Sequence, residues 1–509
     1  MRTEKSIKNV TIALIGQGLY YIFSFILRTI FIKTLGNEYL GINGLFTNIL
    51  YVISIVELGF GATIIVFLYK PIAEKNIEKI AQLENFYSNI YRKIGVLIFV
   101  IAMLVIPFLS VLANDVSEKV KNQLVYVYII FVINSVMNYF FIHYRSIVEA
   151  NQEKYIITLV HYTCNIILLI VQAIVLILYK NFILYMIVQL ISTIIENIVI
   201  SIIAKKKYKN IFSINTSSID KKEKIQIFKK TKSMSCQLIG NIVLNGTDNI
   251  VISAMAGINW VGLYSNYYLI ISVIDSFTAQ IFSAIQASVG NLNVIENEDK
   301  KYKIYKVLDF INFWIAAFCS ISFGIIVNKF VQFWVGKEYV LSNFIVMVIT
   351  INLYLQLANK VNTIYKYSTG IIEKDRYAPM IGAIINIILS IILTKILGVI
   401  GVFIGTTIAL LCTQTFVEPY ILYKYVFKKP FTSKVKNYIF RFIFTLIIGT
   451  VLFKIVTFID IKNQILELIT LVMLCIIIIN IIIIFVYKNK TEFNFVYDII
   501  KKNIKKEKM

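Results

Sequence analysis

Apolar residues in this chain gather into long runs, and most charged residues fall between them. A helix rises 1.5 Å per residue, so about 20 consecutive apolar residues cross the hydrocarbon of a bilayer. The pattern predicts about fourteen spans, near residues 10–32, 45–69, 94–113, 124–144, 156–178, 182–203, 234–256, 261–290, 307–328, 340–359, 378–395, 399–423, 438–458 and 465–487. The expected fold class is therefore all-α and polytopic. The first run is too long for a signal-peptide core and no small-residue cleavage site follows it, so it reads as an uncleaved span.

Composition agrees with the pattern. Of 509 residues 58% are apolar and the mean hydropathy is +0.76, whereas soluble domains hold roughly 45–50%. A soluble enzyme, a disordered chain and a disulfide scaffold are excluded. The five cysteines (Cys164, Cys236, Cys319, Cys412, Cys475) are scattered through apolar runs and read as small buried hydrophobes.

A net charge of +23 would point to nucleic acid in a soluble protein. Here topology explains it. One side of the membrane takes the N-terminus, the connections after even-numbered spans and the C-terminus, and with Arg441 at the near end of the thirteenth span it collects 41 of the 51 Lys and Arg. That excess marks the cytoplasmic side and places both termini there. No nucleic-acid partner is expected. The longest cytoplasmic connection, 205–233, holds ten Lys, and Asp220-Lys-Lys-Glu223 reads as a capping pair opening a short helix. In the basic tail, Phe493, Val496, Tyr497, Ile500 and Ile504 share one helical face. Both segments read as helices on the inner leaflet.

The exterior connections are short and carry no catalytic constellation. There is no D-x-D, no G-x-x-x-x-G-K-[ST] and no acidic or histidine cluster at metal-ligand spacing, so neither a nucleotide nor a metal site is expected. His143 and His161 are isolated and read as packed or hydrogen-bonded side chains.

Polar residues inside spans are costly, which makes stripes of them informative. Gln17, Tyr21, Ser24 and Arg28 line one face of the first span; Thr47, Tyr51, Ser54 and Glu57 line the second. Gln237, Asn241, Asn245 and Asp248 line the seventh, Tyr268, Ser272 and Asp275 the eighth, and Asn352, Gln356 and Lys360 the tenth. Such stripes serve either as interhelical hydrogen bonds or as the wall of a shared polar cavity. Glu196 and Glu418 lie near cytoplasmic ends and read as interfacial.

An internal repeat organises these stripes. At an offset of 221, Leu35-Gly36 and Gly41 match Ala256-Gly257 and Gly262, Ser24 falls on Asn245 and Arg28 on Asn249. The offset spans six helices, so the halves share one orientation, and substrate would sit between them. The expected domains are an N-terminal lobe over 1–204, a basic linker over 205–233, a C-terminal lobe over 234–426, and two appended helices with a basic tail over 427–509.

Several segments then resemble a known family. They are Thr29-Ile-Phe-Ile-Lys-Thr-Leu-Gly36, Glu38-Tyr-Leu-Gly-Ile-Asn-Gly-Leu-Phe46, Glu57-Leu-Gly-Phe-Gly61, Leu68-Tyr-Lys-Pro-Ile-Ala73, Asn85-Phe-Tyr, Tyr91-Arg-Lys-Ile-Gly95, Asp248-Asn-Ile-Val-Ile-Ser253, Val261-Gly-Leu-Tyr-Ser-Asn-Tyr267, Gly290-Asn-Leu292, Lys374-Asp-Arg-Tyr377, Asn386-Ile-Ile-Leu-Ser390 and Gly398-Val-Ile-Gly-Val-Phe-Ile-Gly-Thr406. In order and spacing, over roughly residues 5–430, the set resembles the oligosaccharide flippase (polysaccharide transporter) family of Gram-positive bacteria. That family belongs to the superfamily of multidrug, oligosaccharidyl-lipid and polysaccharide exporters.

The resemblance implies an alternating-access carrier in the bacterial plasma membrane, with two six-helix lobes around a central cavity. It would move an undecaprenyl-pyrophosphate-linked oligosaccharide from the inner to the outer leaflet, without a cofactor, driven by an H⁺ or Na⁺ gradient. Arg28 in the matching Arg-Thr-Ile-Phe segment would hold the pyrophosphate, with Gln17, Ser24, Asn245 and Asn249 beside it and Arg145, Lys360 and Lys366 receiving it from the cytoplasmic side. Glu57, Asp248 and Asp275 would pair with Arg28 in the empty cavity or bind the coupling ion. The second half offers Asn249 where the first has Arg28, which departs from a symmetric cationic cavity. Such a carrier works as a monomer, alongside other membrane proteins of polysaccharide assembly. The competing expectations are a drug/cation antiporter of the same superfamily and a membrane polymerase or glycosyltransferase.

Overall fold

The first apolar run folds as one helix, α1 (Arg2–Leu35), and stops at Gly36. The structure is a computed structural model that describes residues 2–57, 59–113, 115–214, 219–375, 377–459 and 461–507, and all regular structure among them is helical. After α1 come α2 (Asn37–Ile53), α3 (Phe60–Ala73), α4 (Ile77–Met103), α5 (Leu124–Ala150), α6 (Lys154–Tyr179) and α7 (Phe182–Lys207). They are followed by α8 (Lys221–Gly246), α9 (Asp248–Ala256), α10 (Ile258–Ile295), α11 (Glu298–Trp334), α12 (Asn343–Ala358) and α13 (Lys360–Thr369). The chain ends with α14 (Ala378–Leu397), α15 (Ile400–Phe427), α16 (Thr432–Thr457), α17 (Gln464–Tyr487) and α18 (Thr491–Glu507).

Twelve described helices are long and apolar enough to cross a bilayer, so this is a multi-pass membrane protein. The predicted spans 234–256 and 261–290 are not among the twelve. Both are helical where described, and the twelve are counted over the described residues alone. The predicted total of about fourteen is not reached by this criterion.

Two predicted spans also break. The span expected over 45–69 opens into a 3₁₀ turn at Ser54–Glu57 and then passes through Gly59 at φ +85°, where a Cβ would lie 2.7 Å from the Thr231 carbonyl oxygen. The span expected over 234–256 breaks between Gly246 and Asp248, and a Cβ on Gly246 would lie 2.9 Å from Val52. Hydrophobic periodicity runs through both breaks because the cause is the close approach of another helix.

The helices pack as two compact units, Met1–Ser265 and Asn266–Met509. In the first, α1 lies along α6, and α5 packs between α4 and α7. The repeat is visible in its geometry. Gly36 and Gly257 both take positive φ, +86° and +106°, a region that costs other L-residues about 1 kcal/mol or more. Gly41 and Gly262 mark reciprocal close approaches: a Cβ on Gly41 would meet the Ile258 carbonyl oxygen at 2.3 Å, and one on Gly262 would meet Asn37 at 2.3 Å. Asn37 Nδ2 completes the crossing by donating to the Asn259 carbonyl at 2.8 Å.

In the second unit α14 pairs with α15, α11 with α12, and the appended α16 and α17 both pack on α11. The C-terminal helix is docked through its apolar face: Phe493 lies against Phe310 and Trp314, and Lys306 pairs with Glu492 at 3.3 Å. Burial would push the Glu492 carboxyl up, but its own backbone N–H and the Lys306 ammonium hold it below the usual glutamate range. Ile500 and Ile504, expected on that face, have side chains outside the described residues.

The basic connection corrects two expectations. No separate short helix opens at Asp220, because α8 runs 26 residues from Lys221 without a break, through Gly240 to Gly246. Asp220 occupies the N-cap but makes no side-chain cap bond, and the Glu223 side chain pairs with Lys79 of α4. Among the cysteines Cys475 is buried, but Cys412 is exposed on α15, where an apolar surround of lipid satisfies it equally well.

Candidate functional site

Arg28 stands near the end of α1, partly buried. Its Nη1 donates to Ser265 Oγ at 3.0 Å, and that hydroxyl donates to the Gly262 carbonyl at 2.7 Å. The guanidinium thus rests on one of the repeat's close approaches. Tyr20 and Tyr185 lie near enough to interact electrostatically with it. Among the described residues of the first unit no carboxylate pairs with Arg28 within 4.0 Å. Ser24 sits a turn earlier, beside Tyr20, and Gln17 is buried on the same helix.

Glu57 and Asp248, expected to pair with Arg28 or to bind the coupling ion, both lie in the first unit. Glu57 sits in the 3₁₀ break after α2 and accepts from the Tyr91 hydroxyl at 3.4 Å. Short 3₁₀ stretches inside a helix mark hinges or strain. Asp248 begins α9, partly buried, where the positive end of the helix dipole favours a carboxylate. Next to it, Asn249 Oδ1 is buried with no hydrogen-bond partner among the described residues. The side chains of Gln237, Asn241 and Asn245 lie outside the described residues.

Arg145 differs from Arg28. It donates to Glu196 Oε1 at 2.8 Å and to Asn197 Oδ1 at 3.0 Å, and His161 Nδ1 lies 3.1 Å from the same Glu196 oxygen. Glu196 is 8% exposed, so it is a buried hub rather than the interfacial residue expected.

In the second unit Asp275 is the partner of Lys360: Nζ donates to Oδ1 at 2.6 Å, with side chains 23% and 48% exposed. This pair is open enough to exchange partners. Lys366 is not. It is 3% exposed and clamped by Asp375 at 2.8 Å and Glu418 at 2.5 Å. Glu418 also accepts from Asn359 at 2.6 Å and Thr363 at 2.9 Å. The expectation of an interfacial Glu418 is corrected on this evidence of burial. So is that of a Lys366 available to a ligand, because releasing its ammonium would strand two buried carboxylates. Around Glu418, α15 widens into π turns at Leu411–Thr415 and Leu422–Phe427, with Pro419 between them.

Sequence reasoning missed two further clusters. Asp309 is bound by Lys434 at 2.6 Å and Arg441 at 2.7 Å, and Lys434 lies 4.6 Å from the Tyr438 ring centroid. Both cations read as topology anchors along the chain, and only packing of α16 on α11 reveals their buried partner. The second is Glu84 with His143, 3.4 Å apart across α4 and α5. Among the described residues no three His, Cys, Asp or Glu side chains cluster to hold a metal ion. The second unit also holds an apolar cleft of about 420 Å³ between α11, α12 and α16, lined by Ile321, Phe344, Tyr354, Phe442 and Phe453 among others, with Lys454 at its edge.

Comparison with known proteins gives this architecture a family. A search of the curated proteins returns no match. Among solved structures, the lipid II flippase MurJ in an inward closed conformation is similar at a TM-score of 0.67 and 18% identity, covering 94% of this chain and 99% of that one. An inward-facing multidrug resistance MATE family transporter of the MOP superfamily gives 0.61 and 17%, covering 80% and 95%, and an outward-facing one gives 0.54 and 15%, covering 81% and 92%. At these identities the likeness is one of fold. The sequence itself matches the family described as polysaccharide biosynthesis protein over residues 6–286, more than half of the chain, and the protein is a member of that family.

Proposed function

We propose that this protein is an alternating-access flippase that carries a lipid-linked oligosaccharide, the repeat unit of a cell-surface polysaccharide, from the inner to the outer leaflet. The observation that carries the reading is Arg28, a partly buried guanidinium held by a serine hydroxyl with no carboxylate of its own unit within ion-pair reach among the described residues. An uncompensated cation in a membrane bundle is costly. The forked guanidinium suits the oxygens of a pyrophosphate headgroup. Lys360, whose partner Asp275 is half-exposed, is the second candidate because it can release a carboxylate as it accepts a phosphate. The apolar cleft beside α16 fits part of a polyisoprenoid tail. Membership of a polysaccharide biosynthesis family supplies the glycan side of the proposal.

A second reading, drug/cation antiport, draws on the MATE-like fold and on Glu57, a carboxylate set at a helix break beside Tyr91. One experiment separates the two. Purified protein in liposomes carrying fluorescent undecaprenyl-pyrophosphate oligosaccharide is assayed for sugar reaching the far leaflet, for wild type and Arg28→Ala. Transport that falls at least tenfold in the variant supports the flippase and the role of Arg28. A variant at the wild-type rate removes Arg28 from the site. Wild-type protein that moves no lipid but exchanges cationic dyes for H⁺ supports the antiporter.

A further inference from the structure

The chain contains two histidines, and each faces a glutamate on a neighbouring helix. Their surroundings differ. Glu196 beside His161 is already engaged by Arg145, and the His161 side chain is 49% exposed. Glu84 and His143 form a closed pair. His143 Nε2 lies 3.4 Å from Glu84 Oε1, with side chains 5% and 11% exposed. The other ring nitrogen, His143 Nδ1, is buried with no hydrogen-bond partner among the described residues. A buried imidazole with one face on a carboxylate and the other unsatisfied is an acceptor awaiting a proton.

We propose that Glu84 and His143 form a proton-binding site of the first unit, holding one proton between them and releasing it when α4 and α5 rearrange. The role of that proton in transport rests on the flippase reading above; the site itself does not.

The charges around the pair favour a count of one. Arg92 on α4 and Lys205 on α7 both act on it electrostatically. Two cations oppose a second proton, which would leave an imidazolium beside a neutral acid. They also stabilise the state with none, in which Glu84 is ionised and His143 neutral. Apart from the tyrosines Tyr87 and Tyr144, the groups nearest on elements packed here are engaged or face outward. Glu57, below α2, is bonded by Tyr91 of α4. Lys79 at the start of α4 pairs with Glu223 of α8. Lys70 on α3 is solvent-exposed beside Glu74, and Lys209 in the short helix Lys209–Phe212 is exposed. Lys154 at the start of α6 pairs with Glu149 of α5 at 2.9 Å. Tyr87, a turn from Glu84, is buried with its hydroxyl unpartnered among the described residues, and the Tyr144 ring lies 4.0 Å from the His143 ring, tilted by 40°.

The pair is placed to sense motion. Glu84 lies in the second turn of α4, and His143 lies in the last turns of α5. A shift of one helix along the other separates carboxylate from imidazole, which ends the sharing that makes the proton stable.

The test is a potentiometric titration of the full-length protein in lipid nanodiscs. Between pH 8 and 5.5, Glu84→Gln and His143→Gln should each take up about one proton fewer per molecule than wild type, and the double variant also about one fewer, because coupled groups titrate as a pair. Uptake unchanged in either single variant, or losses that add to about two in the double, would overturn the proposal. Wild type gives an independent readout should a variant fail to fold. With ¹⁵N-histidine labelling only two imidazoles report, and His161→Asn assigns them. The His143 ring signals should move through a step in this range; signals constant across it overturn the site. A third arm imposes a pH gradient on the liposome assay. Gradient-stimulated lipid transport should disappear in Glu84→Gln while unstimulated transport persists, and persisting stimulation overturns the coupling role. Wild type that moves no lipid at all would sink the flippase reading and leave the titration result standing.

Discussion

Lys366 and Lys434 in the second unit are each gripped by buried carboxylates, whereas Arg28 in the first unit is held by a hydroxyl. All three are cations within helices long and apolar enough to cross a bilayer. Burying a charge beside its counter-ion yields a rigid joint, because moving either partner strands the other in low dielectric. A cation with only a neutral partner retains capacity for a ligand's charge. On the proposed function, the contrast separates cations that hold the bundle together from one that would act on a substrate. Lys360 falls between, paired but open.

Four measurements break or sharpen that contrast. The largest effect is expected from Asp309→Asn, which leaves Lys434 and Arg441 without their shared carboxylate. Loss of one partner of a buried pair costs about 3–5 kcal/mol, so thermal unfolding of the detergent-solubilised variant should begin well below wild type. An unchanged Tm would show that this joint is not structural. Glu418→Gln should cost less, about 1–3 kcal/mol, because Lys366 keeps Asp375 at 2.8 Å. Its stability loss should exceed any selective loss of transport.

Arg28→Ala inverts the pattern: a tenfold fall in transport, about 1.4 kcal/mol in the transport step, with little change in Tm. Equal losses of stability and transport would place Arg28 with the structural cations. The smallest effect is expected at Glu492. Its carboxyl is held below the ordinary glutamate range in the folded protein, so docking of α18 gains from the Lys306 pair above the unfolded pKa of about 4.3 and loses that gain as pH falls through the lower folded value. Proteolytic release of the C-terminal helix should therefore rise only on strong acidification. Release that is independent of acid would mean that Phe493 alone docks the helix.

Much of this architecture was legible along the chain. The helices lie close to the runs that predicted them, and the weak repeat at Gly36/Gly257 and Gly41/Gly262 reappears as matched positive φ values and reciprocal close approaches. Glycines at those positions carry signal because backbone geometry demands them. The partners of charged residues were not legible. Asp275 was expected to pair with Arg28 or to bind the coupling ion, and its partner Lys360 was not foreseen; Glu196 and Glu418 were expected at the interface and are buried hubs. Lys434 and Arg441 counted as anchors, and nothing in their sequence neighbourhood names Asp309, more than a hundred residues away.

The sequence by itself determined the solvent of this protein. Its runs of apolar residues make a lipid-embedded helical bundle the way to satisfy backbone and side chains together, and the skew of Lys and Arg sets the expected orientation. Both are sums over many residues, and such sums survive local error. Tertiary structure alone decided which charges are spent on each other. An ion pair is a matter of a few ångströms between side chains from distant segments, and that distance is written in the packing of α4 on α5 or α16 on α11 rather than in either helix alone.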